Sequence, residues 1–356
     1  MYTKGVGNAT SNATGQKKGC CERMTVTIFD IAKRANVSVS TVSRVLNNKP
    51  DVNKATEQKV RQVIKDLNFT PNSAARSLVL KHSNTIGYIA SDITNPSFPE
   101  TARGVVVKAR EYGYSVMFFD ANKDSAVEKE AIDLLRTKQV DGIILSFNEA
   151  NREELEKLKK EQYPVVQIYR KSSRSAISTI AIDNVDSGLT ATRYLIDAGH
   201  VKIAHITTGN GTQSGHERLI GYRQAMEGAG LEIREEYIQV GTNSVEAGKE
   251  CMQKLLALDD LPTAVFASHD AQAVGVYEAI YEQGLSIPDD MSVIGHDNID
   301  LSQYLRPKLT TIDTFKYRLG EASVDLLVEE MEAHSPQSKE IVFSGVLVER
   351  ESVKKL

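Results

Sequence analysis

Hydrophobic and polar positions between residues 26 and 70 repeat with the period of an α-helix in three consecutive stretches. Apolar residues in "IFDIAKRA" (28–35) recur at intervals of three and four, which places them on one helical face. The same spacing returns in "SVSTVSRVLN" (38–47) and in "ATEQKVRQVIKDLNF" (55–69). Between the first two stretches, Asn36 tolerates a left-handed backbone and Ser38 is suited to cap a helix. The pattern therefore predicts two short helices joined by a tight turn, then a third helix.

The second of these helices has an unusual outer face. Val42, Val45 and Leu46 form its apolar side, which leaves small polar residues and Arg44 pointing away from the core. Such a face is typical of the recognition helix of a helix-turn-helix. The pattern alone fits an ordinary helical hairpin with a solvated face equally well, so the charge of the segment has to be considered.

Charge is distributed unevenly along the chain. Residues 24–83 contain ten Lys and Arg against four Asp and Glu, and the first 23 residues contain four against one. Since the whole chain of 356 residues has a formal net charge of −4, residues 84–356 carry −13. A basic segment that contains a helix-turn-helix favours contact with the phosphates of DNA, whereas the acidic remainder should avoid them.

From residue 85 the pattern changes to short apolar runs that alternate with helical stretches. The first series is "TIGYIAS", "SVMFFDA", "VDGIILSF" and "PVVQIY". After "TIAIDN" the cycle restarts with "KIAHITT", "YIQVG", "AVFAS" and "MSVIGHD". Strands that are apolar throughout and alternate with helices indicate parallel sheets covered on both faces. The restart near residue 184 predicts two similar α/β subdomains.

Polar residues that directly follow these strands are the candidates for a binding site. Ligands of parallel α/β sheets bind at the carboxyl ends of the strands, and two such edges that face each other would form a cleft. Each residue taken alone is also explained as a helix cap or as loop solvation. The candidates from position alone are Asp92, Asn95, Ser146, Asn148, Tyr169, Thr208, Thr212, His269, Asp270, Asp297 and Asn298.

Composition excludes several classes of protein. No apolar run approaches the length of a membrane span, and residues 1–23 lack the apolar segment of a signal peptide, so we expect a disordered extension there. The cysteines, Cys20, Cys21 and Cys251, are odd in number and lack metal-ligand spacing. Reduced thiols in the cytoplasm, with neither metal nor cofactor, fit this usage best.

A series of ordered motifs then identifies a family. They are "TIFDIAKRANVSVSTVSRVLN", "LNFTPNSAARSL", "IGYIASDITNPSF", "VDGIIL", "AIDN", "DAGHVKIAHITTG", "RLIGY", "SVIGHDN" and "LTTID". From about Thr25 to its end, the chain resembles the lac repressor/galactose repressor family of bacterial transcription regulators. The resemblance implies an α/β protein whose core is similar to periplasmic binding proteins, with two doubly wound parallel-sheet subdomains. It also implies a homodimer, because no heptad tail follows the core.

The resemblance sets the expected domain limits. It implies a helix-turn-helix headpiece at 24–71, a hinge helix and linker at 72–83, and an effector-binding and dimerisation core at 84–356. Within the core, the N-subdomain is expected at about 84–183 and 314–342, and the C-subdomain at about 184–313 and 343–356.

The resemblance also implies contacts with double-stranded DNA at an inverted-repeat operator. Val39, Ser40 and Arg44 match positions that reach base edges, where an arginine can form a fork on guanine. Leu78 matches a hinge leucine that wedges into the minor groove and bends the duplex. The full expected set is Thr27, Ser38, Val39, Ser40, Thr41, Ser43, Arg44, Asn47, Asn72, Ala75, Arg76 and Leu78.

For the core, the resemblance implies a small-molecule effector between the subdomains. Phe98, Arg218 and Asp297 match the family's contacts best: an aromatic floor, paired donors and an acceptor. His269 and Tyr169 stand where the family often has Asn and Asp, so the effector class stays open between sugar, sugar phosphate, nucleoside and purine. The expected effector-binding set is Asn95, Phe98, Ser146, Tyr169, Thr212, Ser214, Arg218, Asn243, His269 and Asp297.

These features predict a DNA-binding transcription regulator, a repressor, whose operator affinity is controlled by a small polar effector such as a sugar or sugar derivative. A regulator of the same family controlled by a phosphorylated protein partner is the alternative. A free sugar-binding protein would have an export signal and no headpiece. An enzyme is not expected, because no nucleophile–base set, metal motif or phosphate loop can be assembled from the sequence.

Overall fold

The computed structural model describes residues 26–46, 49–69, 82–146, 152–170, 177–209, 212–333 and 338–356. The chain divides into two compact units, residues 1–76 and residues 77–356. The first unit includes the residues of the predicted headpiece, and the second includes those of both predicted α/β subdomains.

Three helices form the headpiece, as the apolar spacing predicts. They are α1 (Ile28–Ala35), α2 (Val39–Leu46) and α3 (Lys54–Asp66). Asn36 ends α1 in the left-handed conformation with φ 51°, and the Ser38 hydroxyl accepts a hydrogen bond from Thr41 N at 3.1 Å. One apolar cluster joins the helices, with Ile31, Ala32, Ala35, Val42, Val45, Val60 and Val63 buried in it.

Val39 departs from the simple two-sided picture of α2. The apolar spacing leaves its side chain on the outer face, yet it is half-buried and packs against the headpiece core. Side chains in a helix lean toward its N-terminus, and the turn before α2 is bound back to α1 through Val37 N and Ala32 O at 3.0 Å. The first residue of α2 therefore lies at the junction of two helices.

Two parallel sheets form the second unit. The larger sheet has the strand order β11-β5-β4-β3-β1-β2, and the smaller has the order β7-β6-β8-β9. An antiparallel pair is formed by β10 and β12, which precede and follow the part of the chain that returns to the larger sheet through β11. The strands are β1 (Thr85–Ala90), β2 (Ser115–Asp120), β3 (Gly142–Leu145), β4 (Val165–Ile168), β5 (Ser178–Ile182), β6 (Ile203–Thr207), β7 (Ile238–Val240), β8 (Ala264–Ala267), β9 (Ser292–Ile294), β10 (Thr311–Asp313), β11 (Glu340–Phe343) and β12 (Val346–Val348).

Helices cover both faces of each parallel sheet. Each sheet accordingly has two separate apolar clusters, one on each face. This is the doubly wound arrangement that the uniformly apolar strands predict. The helices are α4 (Phe98–Glu111), α5 (Ser125–Thr137), α6 (Arg152–Lys160), α7 (Asn184–Asp197), α8 (Gln213–Gly228), α9 (Val245–Leu256), α10 (Asp270–Glu282) and α11 (Lys316–Glu332). Within the described ranges, none of the helices has the length and apolar character needed to cross a membrane.

The α7 and α8 helices approach so closely that glycine is required at their contact. A Cβ atom on Gly188 would lie 2.3 Å from the backbone oxygen of Arg218, and one on Gly221 would lie 2.1 Å from Val185 O. Since Arg218 lies on α8, this close contact places its backbone directly against α7.

Gly188→Ala should therefore destabilise the protein by about 1–3 kcal/mol, the range for overpacked substitutions. Gly228→Ala is the matched control, because Gly228 ends the same α8 helix and a Cβ there would meet nothing within 4 Å. Chemical unfolding followed by circular dichroism measures both variants, and equal stability of the two would contradict the close helix contact.

Candidate functional site

The exposed face of α2 carries several residues that were predicted to contact DNA. Ser40 and Arg44 lie one helical turn apart and are exposed. Thr41 and Ser43 beside them are half-buried. The Ser38 hydroxyl lies 2.7 Å from Ser40 Oγ and 2.8 Å from Thr41 Oγ1. This face of α2 thus presents hydroxyl groups next to one guanidinium group, which suits hydrogen bonds to phosphates and base edges.

Thr27 lies at the N-terminus of α1. Its backbone N–H and its hydroxyl both donate to Asp30 Oδ2, at 2.9 and 2.7 Å, so this pair of residues caps the helix. The remaining predicted DNA contacts lie outside the described residues: Asn47, Asn72, Ala75, Arg76 and Leu78.

In the second unit, Asp297 is the centre of a buried polar cluster at the carboxyl edge of the smaller sheet. His269, which follows β8, donates from Nδ1 to Asp297 Oδ2 at 2.9 Å. His296 donates from Nδ1 to Asp297 Oδ1 at 3.0 Å. All three residues are buried, and the backbone of Asp297 has a φ of 112°, outside the usual range for a residue with a side chain. Both carboxylate oxygens are therefore held by imidazole N–H groups.

These contacts fix the charge states of the cluster. Burial lowers the pKa of His296 to about 3 and also lowers the pKa of His269, which favours the neutral form of each ring. Burial works to raise the pKa of the Asp297 carboxyl, but its pairing with His269 and the hydrogen bond from His296 hold that pKa well below the usual range. Asp297 is thus a negative charge flanked by two imidazole donors.

Arg218 completes the cluster from α8. Its Nε donates to Asn184 Oδ1 at 3.0 Å, and its Nη1 donates to the backbone oxygen of Ser268. Nη1 also lies 3.3 and 3.4 Å from the two ring nitrogens of His269. A positive guanidinium at this distance disfavours a second positive charge on the ring, which agrees with a neutral His269.

Aromatic side chains form the corresponding edge of the larger sheet. Phe98, the first residue of α4, lies 5.7 Å from the Tyr88 ring and 5.9 Å from the Phe118 ring, measured between centroids. The Tyr169 hydroxyl, after β4, hydrogen-bonds to the Thr101 hydroxyl. Burial raises the pKa of Tyr169 well above its usual value, and the nearby charge of Asp297 acts in the same direction. This edge therefore offers apolar rings and a neutral hydroxyl.

The other predicted effector contacts have local partners, with one exception. Asn95 Oδ1 accepts from Ser97 N at 3.0 Å, and Thr212 Oγ1 accepts from Gly215 N at 3.1 Å and caps α8. Asn243 differs: its Oδ1 is buried and has no hydrogen-bond partner within the described part of the chain. The remaining two predicted contacts are Ser146, which pairs with Tyr88, and Ser214, whose hydroxyl lies 3.5 Å from Thr212 Oγ1.

Lys316, which the sequence did not indicate, joins the two sheet edges. This first residue of α11 is almost fully buried, and its Nζ donates to the backbone oxygen of Asp297 and, at 3.2 Å, to that of Asn298. The same amine lies 3.1 Å from Glu100 Oε2 on α4. The loop that carries Asp297 and the helix that begins with Phe98 are thus tied to one ammonium group. No periodic signal distinguishes such a lysine from a solvated one.

Comparison with known protein families gives a match in each of the two units. The profile of bacterial regulatory proteins of the lacI family matches residues 27–72, and that of the periplasmic binding protein-like domain matches residues 192–353. The catabolite control protein A of Priestia megaterium is 35% identical over 93% of this chain and 100% of that protein. The chain belongs to the lacI family of bacterial regulatory proteins. The ribose operon repressor of Escherichia coli K12 is 37% identical over 92% of this chain and 99% of its own length.

Among solved structures of this lacI family, the lac repressor dimer bound to operator and the anti-inducer ONPF superposes with a TM-score of 0.84. It is 26% identical and covers 92% of this chain and 99% of that chain. The family and fold predicted from the ordered motifs are therefore confirmed. Membership makes the chain a DNA-binding regulator of transcription.

Proposed function

We propose that this chain is a repressor that binds an inverted-repeat operator as a homodimer and whose operator affinity is set by a small polar effector, a sugar or sugar derivative. The effector site is the cleft between the two sheet edges, and the protein acts in the cytoplasm, where operator DNA is found. The predicted hinge helix at 72–83 belongs to this proposal. The observation that carries it is the combination of an exposed recognition face on α2 with a buried, charged cluster around Asp297.

Selection of fragmented genomic DNA by the protein tests the DNA-binding half of the proposal. Two recognition helices of a dimer require half-sites related by dyad symmetry, so the retained fragments should share an inverted repeat. Affinity for this repeat should fall steeply as salt rises, because lysine and arginine displace counterions from phosphates. Retention of fragments without a shared sequence would contradict operator recognition.

Arg44→Ala should lose base discrimination at one position of the selected repeat. A fork between arginine and guanine contributes about 1–3 kcal/mol of discrimination, so substitution of that base pair should no longer matter to the variant. Arg34→Ala, which removes an equal charge from an exposed position on α1, is the control. The measurement is the Kd of each protein for the repeat and for its single-base variants. An equal loss of affinity for every sequence would show that Arg44 contacts only phosphate.

The cleft supports a polar, hydroxyl-bearing effector. Asp297 is ionised and accepts hydrogen bonds, Arg218 donates them, and Asn243 Oδ1 is a buried acceptor without a partner among the described residues. The half-buried ring of Phe98, packed against the buried Tyr88 ring, supplies an apolar floor on the opposite edge. Polar groups that converge over an aromatic surface are typical of sugar and nucleoside sites.

The ribose operon repressor among the relatives makes D-ribose the first effector to test, with ribose 5-phosphate, adenosine and hypoxanthine beside it. The true effector should change the Kd for the selected operator, and by linkage the operator should change the Kd for the effector by the same factor. A compound that binds without altering operator affinity is not the effector.

Catalysis is not part of the proposal. His269 and Asp297 have the geometry of a base and its orienting carboxylate, but no hydroxyl or thiol in the described ranges hydrogen-bonds to either histidine of the cluster. The family's regulators act by binding, and the cluster has the arrangement of a binding site.

A further inference from the structure

The acidic residue Asp51 occupies an unexpected place in the basic headpiece. The segment 24–83 has four acidic residues, and three of them serve their own helix. Asp30 caps α1, Glu57 accepts from Arg61 Nε at 2.8 Å within α3, and Asp66 Oδ1 accepts from Gln62 Nε2 at 2.8 Å. Asp51 instead lies on the connection to α3 and pairs with the recognition helix, where its Oδ2 is 3.2 Å from Arg44 Nη2.

The described residues on either side of Asp51 are held in place by contacts with the headpiece. Lys49 N donates to Arg44 O at 3.0 Å, and Val52 packs against the headpiece core. Asn53 Oδ1 accepts from Ala55 N at 2.8 Å and caps α3. The carboxylate is therefore held at a defined position beside the exposed guanidinium, although both side chains are more than half exposed.

A carboxylate at this surface opposes the binding of phosphates, so its presence there needs a physical explanation. A guanidinium has five N–H donors, and a fork on guanine uses two of them, which leaves Nη2 able to keep its contact with Asp51. An Arg44 side chain that is already oriented by Asp51 loses less conformational freedom on binding the base than a side chain without this contact. The carboxylate also weakens contact with any sequence that offers phosphates alone.

We propose that Asp51 is a positioning residue for operator specificity: it holds Arg44 in the orientation that reads a base and reduces affinity for non-operator DNA. The inference rests on operator recognition by the headpiece. It concerns the ratio of affinity for operator DNA to affinity for non-operator DNA, which can be measured on the full-length protein.

The test uses a duplex selected from a random library by the wild-type protein, its single-base variants and a scrambled duplex of equal length. Asp51→Asn should raise affinity for the scrambled duplex and reduce discrimination at the base pair read by Arg44 by about three- to fivefold, the upper size of an exposed ion pair. Asp51→Ser should do the same, and Asp51→Glu should retain most of the discrimination. Asp66→Asn removes an equal charge elsewhere on the headpiece and should leave discrimination unchanged.

The double variant Arg44→Ala/Asp51→Asn separates positioning from charge. If Asp51 acts through Arg44, the second substitution has no further effect on discrimination in the Arg44→Ala background. A reduction of discrimination in that background, or equal discrimination by Asp51→Asn and Asp66→Asn, would overturn the inference while leaving operator recognition intact. Absence of any sequence preference in the wild-type protein would overturn both.

Discussion

Asp297→Ala should lower the free energy of unfolding by about 2–5 kcal/mol and abolish effector binding. The substitution removes the acceptor of two buried imidazole N–H groups, those of His269 and His296, at 2.9 and 3.0 Å. A buried donor left without its partner costs about 1–3 kcal/mol, and two donors are affected here. Asp297→Asn retains one acceptor oxygen, so its destabilisation should be smaller.

Asp300→Ala is the matched control, because Asp300 lies three residues further along the same loop but is exposed. Exposed substitutions of this kind usually change stability by less than about 0.5 kcal/mol. Urea unfolding followed by circular dichroism suits this chain, which has no tryptophan. Operator binding without effector should survive in both variants, because the cluster belongs to the core. If Asp297→Ala and Asp300→Ala unfold alike, the two imidazoles do not depend on this carboxylate.

The periodic elements and the site positions that follow strands could be predicted from the sequence. Ile31, Val42 and Val60 each belong to a separate run in which apolar residues recur every three to four positions. Because this interval matches the turn of a helix, each run predicts a helix with one apolar face, and the three faces together predict a core. His269 and Asp297 directly follow strands of one parallel sheet, so their meeting at its carboxyl edge also follows from order along the chain.

The residues that connect distant segments could not be predicted in this way. Lys316 and Glu100 are far apart in sequence, and Asn184 supports Arg218 from another helix. A lysine is normally exposed, and the burial of Lys316 is made favourable by the carbonyl groups of Asp297 and Asn298 and by the carboxylate of Glu100. Periodicity reports the face on which a residue lies but contains no information on which carbonyl group it will meet.

His205 makes the stability of the core depend on pH. Its ring on β6 stacks between Tyr222 and Phe266, with centroids 5.2 and 4.5 Å away. Nδ1 donates to Phe266 O at 2.9 Å, whereas Nε2 is buried and has no hydrogen-bond partner in the described part of the chain. A second proton on this ring would be buried without an acceptor, and burial accordingly lowers the pKa of His205 to about 3.

The sign of the effect follows from which state binds the proton. The unfolded chain protonates this histidine near pH 6.5, whereas the folded protein keeps it neutral down to about pH 3. Its contribution to stability is therefore complete above about pH 6.5 and is lost as the pH falls, by about 2 kcal/mol between pH 7 and pH 5. Asp270 acts in the opposite direction, because burial raises its pKa to about 8 and the folded state takes up that proton first. The effect of His205 must therefore be measured as a difference between variants.

His205→Leu should show a loss of stability between pH 7 and pH 5 that is smaller than the wild-type loss by about 2 kcal/mol, whatever its stability at pH 7. The leucine keeps an apolar side chain between the two aromatic rings but cannot be protonated. His216→Leu, the same substitution at an exposed position, is the control and should retain the wild-type pH dependence. Urea unfolding at pH 5, 6 and 7 measures all three proteins. Identical pH dependence in wild type and His205→Leu would mean that the folded core accepts the second proton, and the buried Nε2 would then require an acceptor.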